Sequence, residues 1–188
     1  MRGPHQPGVL VVSATPAEAV HVPPGTDLLI TGIGKVRAAT ALTKRLITGD
    51  YRRVINIGTA GALRDGRSGL YLPSRVIEHD ISAAELTAMG YPLVDEWEIL
   101  GGDGSILATG DTFVSDPVHR DVIAERADLV DMEGAAFAQV CDDFAVLFRV
   151  VKVVTDNADE SAMDWPTAIE HAARDLGAWL AETDFGEL

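Results

Sequence analysis

The chain has 188 residues, of which 47% are hydrophobic and 23% are charged, as in a globular domain large enough to bury a sizeable core. Fifteen basic residues face 29 acidic ones, so a formal charge of −14 argues against partners with phosphate surfaces, both nucleic acids and anionic membranes. Since no apolar run reaches the roughly 18 residues of a membrane span, we expect one cytoplasmic domain over residues 1–188.

Apolar, β-branched runs recur along the chain and predict its strands. Several runs are continuous rather than alternating, as expected for central strands that are covered on both faces. The runs occupy 8–14, 27–33, 52–58, 74–80, 105–111, 128–133 and 146–155. The third run leads into GTAGA (58–62), whose glycines and small side chains predict a turn.

Amphipathic segments lie between some of these runs and predict helices at 34–50, 116–127, 133–144 and 164–183. In the first helix the spacing places Val36, Ala39, Leu42, Thr43 and Leu46 on the buried face. The second opens with Asp116 as its N-cap. Strands that alternate with helices predict an α/β fold: a single-domain, three-layer α/β/α architecture with a central mixed, twisted sheet.

Three carboxylates follow predicted strands. Glu18 comes after the first strand, Glu133 ends the sixth, and Asp156 ends the last. Because ligands of such folds bind at the carboxyl ends of the strands, these acids are candidates for one shared pocket, where one could act as an acid and another as a base. For each of them alone, the alternative is a helix cap or a solvated loop residue.

Other patterns argue against a bound metal or cofactor. GIGKVR (32–37) follows a strand and opens a helix, but Arg37 occupies the third glycine position of the dinucleotide fingerprint, so a tight turn is favoured. The five histidines are scattered without the spacing of metal ligands. The single cysteine, Cys141, excludes an internal disulfide and fits a packed core thiol.

Taken together, six segments resemble the purine nucleoside phosphorylase/uridine phosphorylase family, and within it the 5′-methylthioadenosine/S-adenosylhomocysteine nucleosidases. They are ITGIGKVRAA (30–39), VINIGTAGAL (54–63), HDISAAELTAMGYP (79–92), GDTFVSD (110–116), VDMEGAAFAQVCDDFAVLF (130–148) and VVKVVTDNAD (150–159). VDMEGAA followed by TDNAD is the most specific signal. The resemblance implies a nucleoside phosphorylase-like fold and hydrolysis of the N-glycosidic bond of an adenosine-type nucleoside, without metal or cofactor.

The resemblance also assigns roles to individual residues. Asp156, preceded by Thr155, would hydrogen-bond the purine and help to protonate its N7. Glu133 would hold the ribose hydroxyls, with Met132 packed under the sugar. Glu18, which stands where the family has the last acid of an A-M-E-E-E-like stretch, would position and deprotonate the attacking water.

Four further positions complete the predicted site. Phe113 would present its ring to the base, and Val114 its backbone groups to the base edge. Thr59 would contact the water or a sugar hydroxyl. Trp165 would cover the base as a lid, although a core tryptophan at the start of the last helix is an equal alternative.

Asn56 bears on the choice between water and phosphate. Phosphorylases of the family resemble R-x-G-T-x-G at this strand, and their arginine pairs with phosphate. A neutral amide cannot supply that charge, so Asn56 favours hydrolysis. A phosphorylase, a futalosine-type hydrolase and a non-catalytic nucleoside-binding protein remain alternatives, because the shortened 93–109 region leaves the 5′ substituent open. The resemblance also implies a homodimer.

Overall fold

The computed structural model describes residues 8–159 and 165–185, and it contains one nine-stranded sheet. The strands are β1 (Val9–Ser13), β2 (Leu28–Ile30), β3 (Arg53–Ala62), β4 (Gly69–Tyr71), β5 (Arg75–Glu78), β6 (Glu96–Glu98), β7 (Ile106–Thr109), β8 (Leu129–Asp131) and β9 (Leu147–Asp156). The helices are α1 (Lys35–Thr48), α2 (Ala83–Ala88), α3 (Pro117–Ala124), α4 (Gly134–Asp143) and α5 (Trp165–Glu182).

The two longest strands, β3 and β9, form the centre of the sheet. They pair in parallel from Arg53 opposite Leu147 to Gly61 opposite Asp156, with a shift of register between Ala60 and Gly61. The far end of β3 also pairs antiparallel with β8, where Gly61 faces Val130. The sheet is therefore mixed, and the carboxyl ends of β3 and β9 meet β8 at one place.

Helices cover both faces of the sheet. Alternate residues of β1 point to opposite faces, so that Leu10 packs with the core of α1 and α4, whereas Val11 packs with the core of α5. Phe137 of α4 is fully buried in the first core and Leu176 of α5 in the second. This arrangement confirms the predicted three-layer α/β/α fold.

The structure corrects several details of the sequence-based assignment. The GTAGA segment is not a turn, because β3 continues through it to Ala62 and pairs there with both β9 and β8. Val36 is 75% exposed, since the buried stripe of α1 runs through Ala38, Leu42 and Leu46. The strands β4 and β6 and the helix α2 were not predicted, since each is too short to show a hydrophobic period.

Other local predictions are confirmed. The Asp116 carboxylate caps α3 by accepting a hydrogen bond from the Val118 N–H at 3.0 Å. Cys141 is buried in the core between α4 and the sheet, and this burial raises the pKa of its thiol. Among the described helices, none combines the length and the apolar character that crossing a bilayer requires.

Candidate active site

A cavity opens at the point where β3, β8 and β9 meet, and eight of the ten residues predicted from the sequence line it. They are Glu18, Thr59, Phe113, Val114, Met132, Glu133, Thr155 and Asp156. These residues come from five separate segments of the chain, which the sheet brings together. The strand-end rule therefore located the cavity correctly.

Glu18 lies in the turn after β1, and its carboxylate is only 5% exposed. One oxygen, Oε1, accepts hydrogen bonds from the N–H and the hydroxyl of Thr59, at 2.8 and 3.0 Å. The other, Oε2, accepts from the N–H and the hydroxyl of Thr15, at 3.1 and 2.9 Å, and from the Ser13 hydroxyl at 3.3 Å. With both oxygens held by donors, the carboxylate has a fixed orientation in the cavity wall.

Glu133 precedes α4 and is buried, with 6% of its surface exposed. Its Oε1 accepts a hydrogen bond of 2.8 Å from the Gly34 N–H, at the start of α1. Burial raises the pKa of Glu133 to about 7, and the nearby Asp131 carboxylate adds to the rise, while Lys152 and the Gly34 amide oppose it. Glu133 therefore changes its charge near neutral pH.

A buried ion pair lies beneath the cavity and was missed by the sequence analysis. Lys152 of β9 is 2% exposed, and its Nζ lies 2.8 Å from Asp131 Oδ2. Burial acts to lower the pKa of Lys152, but the negative charges of Asp131, Glu133 and Glu18 outweigh it and raise the pKa. The ammonium group therefore stays charged. A lysine inside the apolar run VVKVV was the available signal for this pair.

Asp131 is held as firmly as its partner. Its Oδ1 accepts a hydrogen bond of 2.5 Å from the Thr109 hydroxyl, and its Oδ2 also accepts one of 2.9 Å from the Gly134 N–H. The Thr109 oxygen in turn accepts the Ala135 N–H at 2.9 Å. Together these contacts fix the first turn of α4, and with it Glu133, to the end of β7.

Asp156 ends β9 at the opposite side of the cavity from the ion pair's strand position. Its Oδ2 accepts the Thr155 hydroxyl, and its Oδ1 accepts the Ala158 N–H, both at 2.9 Å. Ala158 has the left-handed φ of 51°, which returns the chain toward the carboxylate. The carboxyl group is thus oriented by its own strand end and is half-buried in the cavity wall.

The glycines of β3 leave room for these charged groups. A Cβ on Gly58 would lie 3.1 Å from both Glu18 Oε1 and Lys152 Nζ. A Cβ on Gly61 would lie 2.9 Å from Asp156 Oδ1, closer than such atoms approach in real proteins. The small residues of GTAGA thus serve the acids that pack over the strand, which explains why a glycine-rich segment occurs in a strand.

The remaining predicted residues differ in their positions. Phe113 is 48% exposed at the mouth of the cavity, whereas Val114 is buried and Met132 is half-buried. Asn56 does not line the cavity: it is buried within β3, and its Nδ2 donates weakly to the carbonyls of Val12 and Ile57. The prediction for Trp165 concerns a side chain outside the described part of the structure.

Comparison of the sequence with known proteins gives one family and close relatives. The family model of the phosphorylase superfamily matches residues 105–183. The 5′-methylthioadenosine/S-adenosylhomocysteine nucleosidase of Shewanella frigidimarina is 32% identical, over 77% of this chain and 75% of the relative. The protein of the same name from Shewanella oneidensis is 33% identical, over 79% of this chain and 75% of the relative.

Comparison of the structure with solved structures identifies the fold. The 5′-methylthioadenosine/S-adenosylhomocysteine nucleosidase of Neisseria meningitidis, in complex with methylthio-immucillin-A, superposes with a TM-score of 0.81 at 23% identity, over 93% of this chain and 96% of that one. A futalosine hydrolase mutant of Helicobacter pylori also gives a TM-score of 0.81, at 21% identity, over 93% and 97% of the two chains. Both likenesses show a nucleoside phosphorylase-like fold.

Proposed function

Since this chain belongs to the family of 5′-methylthioadenosine/S-adenosylhomocysteine nucleosidases, we propose that it hydrolyses the N-glycosidic bond of one of these adenosine-type nucleosides. The products are adenine and the free ribose derivative. The observation that carries the proposal is the convergence of Glu18, Glu133 and Asp156 on one cavity. Three acids in separate segments supply the three functions that this reaction needs.

Departure of the base is the first function. A purine leaves readily when it is protonated, because it then departs as a neutral molecule. Asp156 is the proposed donor to N7, and the Thr155 hydroxyl and the Ala158 N–H hold its carboxyl group in place. The Phe113 ring at the cavity mouth would stack on the base, and the Val114 backbone would contact the base edge.

Stabilisation of the sugar is the second function. As the bond breaks, the ribose ring acquires oxocarbenium character and positive charge. The Glu133 carboxylate is proposed to accept hydrogen bonds from the ribose hydroxyls and to favour that charge electrostatically. Met132, which is adjacent to Glu133 and lines the same cavity, would pack under the sugar ring.

Activation of water is the third function. Glu18 is proposed to accept a proton from a water molecule that attacks the sugar carbon on the face opposite the base. The oxygen of that water forms the new bond to carbon, and the bonding pair of the old bond leaves with the protonated purine. Thr59, which donates two hydrogen bonds to Glu18, fixes the direction of the base and lies beside the water.

The charges of the cavity favour water over phosphate. Its described lining contains four carboxylates, those of Glu18, Asp131, Glu133 and Asp156, and neither a lysine nor an arginine. Lys152 lies behind this lining, but its charge is already paired with Asp131 at 2.8 Å. A phosphate dianion would meet repulsion without a free cation to bind it, so this argument for hydrolysis does not depend on the position of Asn56.

Product analysis tests the proposal directly. The purified protein is incubated with 5′-methylthioadenosine, S-adenosylhomocysteine, adenosine or inosine, with and without inorganic phosphate, and free base and sugar products are separated. We expect adenine from the first two, at a rate independent of phosphate. A sugar 1-phosphate product, or activity that requires phosphate, would replace the hydrolase with a phosphorylase.

The pH dependence of the reaction should report Glu133. Only its ionised form accepts hydrogen bonds from both ribose hydroxyls, and its pKa is raised to about 7. We therefore expect kcat/KM to rise with pH below about 7, by up to about tenfold per unit, and to level off above. The profile is measured from pH 5 to 9, and in Glu133→Gln this limb should disappear.

The same shift predicts a change of stability. Because the folded-state pKa of Glu133 is above the ordinary value of 4.5, its protonated form stabilises the fold below about pH 4.5, and this contribution is lost as the pH rises through about 7. Thermal unfolding of the free protein compared with Glu133→Gln over that range measures it. A difference that does not vary with pH would contradict the raised pKa.

A homodimer that forms through the cavity side is a further part of the proposal. Ile33 and Phe113 line the cavity with about half of their surfaces exposed, and the neighbouring Val36 is 75% exposed. Apolar groups at a cavity mouth are typical of an interface. Light scattering should give twice the 20.0 kDa mass of the chain, and a species of 20.0 kDa alone would contradict the dimer. The cytoplasmic location stays a prediction of the sequence.

A further inference from the structure

Lys35, the first residue of α1, binds several acidic side chains that the proposed mechanism does not use. Its Nζ lies 2.6 Å from Glu78 Oε1 and 2.5 Å from Asp80 Oδ1, and 4.0 Å from Asp111 Oδ2. The side chains of Lys35, Glu78 and Asp80 are each no more than about a quarter exposed. Burial acts to lower the pKa of Lys35, but the hydrogen bonds to Asp80 and Glu78 outweigh it, so the ammonium stays charged.

This lysine cluster, formed by Lys35, Glu78, Asp80 and Asp111, holds the segment that precedes the base-binding residues. Asp80 Oδ2 accepts a hydrogen bond of 2.9 Å from the Asp111 N–H. Asp111 Oδ1 in turn accepts one of 2.8 Å from the Lys35 N–H. Asp111 is two residues before Phe113, which lines the cavity, so the cluster fixes the start of that loop to α1.

The same helix start reaches the sugar side of the cavity. The Gly34 N–H, one residue before Lys35, donates the 2.8 Å hydrogen bond to Glu133 Oε1. Gly34 has φ of 95°, a conformation that favours glycine, and a Cβ there would lie 3.1 Å from Asp111 Oδ1. The adjacent amides of Gly34 and Lys35 therefore bind the carboxylates of the two sides of the cavity, one each.

We propose that Lys35 is a positioning residue for the nucleosidase reaction: it holds the α1 N-terminus so that the Gly34 amide orients Glu133 toward the ribose, and it fixes the Phe113 loop at the same time. Without its charge, Glu78, Asp80 and Asp111 would repel one another, and the start of α1 would move away from the ends of β5 and β7. This inference rests on the proposed function, in which Glu133 binds the ribose hydroxyls.

The experiment compares Lys35→Met with the wild type on two substrates, 5′-methylthioadenosine and its 2′-deoxy counterpart. Loss of charge-assisted hydrogen bonds predicts a fall of about 10- to 100-fold in kcat/KM for the ribonucleoside. If Lys35 acts through the grip of Glu133 on the hydroxyls, the fall for the deoxynucleoside is smaller, because one of those hydroxyls is absent. Lys35→Arg should restore part of the activity.

Lys44→Met is the matched control, because Lys44 lies on the exposed surface of the same helix. It should leave both substrates unaffected. An equal fall on both substrates in Lys35→Met, or no fall, would overturn the positioning role. Failure of the wild type to release adenine would instead overturn the proposed function.

Amide hydrogen exchange tests the same inference without turnover. In Lys35→Met we expect faster exchange in segments 32–36 and 110–114, and unchanged exchange in β3 and β9, which form the centre of the sheet. Unchanged exchange in both segments would contradict the role of Lys35 even if the activity fell. Faster exchange throughout the sheet would show a general loss of stability and would also overturn the proposal.

Discussion

Replacement of Asp156 by asparagine is expected to lower kcat for 5′-methylthioadenosine by about 10²- to 10⁴-fold, the usual contribution of a general acid. Asparagine has the same shape, and its amide oxygen can still accept the Ala158 N–H that Asp156 Oδ1 accepts at 2.9 Å. It has no acidic proton to give to the purine. The fold should therefore persist while the leaving group remains unprotonated.

Adenine release measures this effect, and thermal unfolding shows whether the fold is kept. Asp50→Asn is the matched control, because Asp50 is exposed before β3 and away from the cavity lining, and it should keep wild-type activity. If Asp156→Asn retained more than about a tenth of the wild-type kcat, the general-acid role would fail, since that remainder is well above the expected range.

Replacement of Lys152 by methionine should have the largest effect on stability. The Lys152 and Asp131 side chains are 2% and 1% exposed, and removal of the ammonium leaves the Asp131 carboxylate buried beside Glu133 and Glu18. Loss of one partner of a buried ion pair costs about 3–5 kcal/mol of unfolding free energy. Urea unfolding at neutral pH measures this loss.

A double variant separates the ion pair from ordinary packing. Lys152→Met with Asp131→Asn leaves no uncompensated charge in this pair, so it should be more stable than Lys152→Met alone. Lys44→Met should be close to the wild type. A Lys152→Met protein as stable as the wild type, or a double variant whose loss is the sum of the two single losses, would show that the pair does not matter for folding.

The sequence was sufficient to locate the three acids, because their location follows from topology. Glu18, Glu133 and Asp156 each follow a strand that is visible as an apolar run, and parallel strands bring their carboxyl ends to one edge. Residues that depend on three-dimensional packing were not found. Lys152 is surrounded by valines along the chain, and only the fold shows which carboxylates lie across from it.

Local composition misled where a charged group across the sheet determines the residue type. Gly58 and Gly61 indicated a turn, but they are glycines because Glu18, Lys152 and Asp156 occupy the space that a Cβ would need. Similarly, Asn56 was assigned to the site by its likeness to an arginine position, whereas the strand buries it outside the cavity lining. The choice of water over phosphate rests on the acids of the lining instead.

The shift of register between β3 and β9 gives the number of residues in this segment a chemical meaning. Lys152 lies opposite Gly58 and Asp156 lies opposite Gly61, so β9 has one more residue than β3 over the same span. Such an extra residue rotates everything beyond it to the other side of a strand. Deleting Thr155 would thus turn the proton donor away from its substrate while leaving the composition of the strand almost intact, so that here a change of length is more harmful than most changes of side chain.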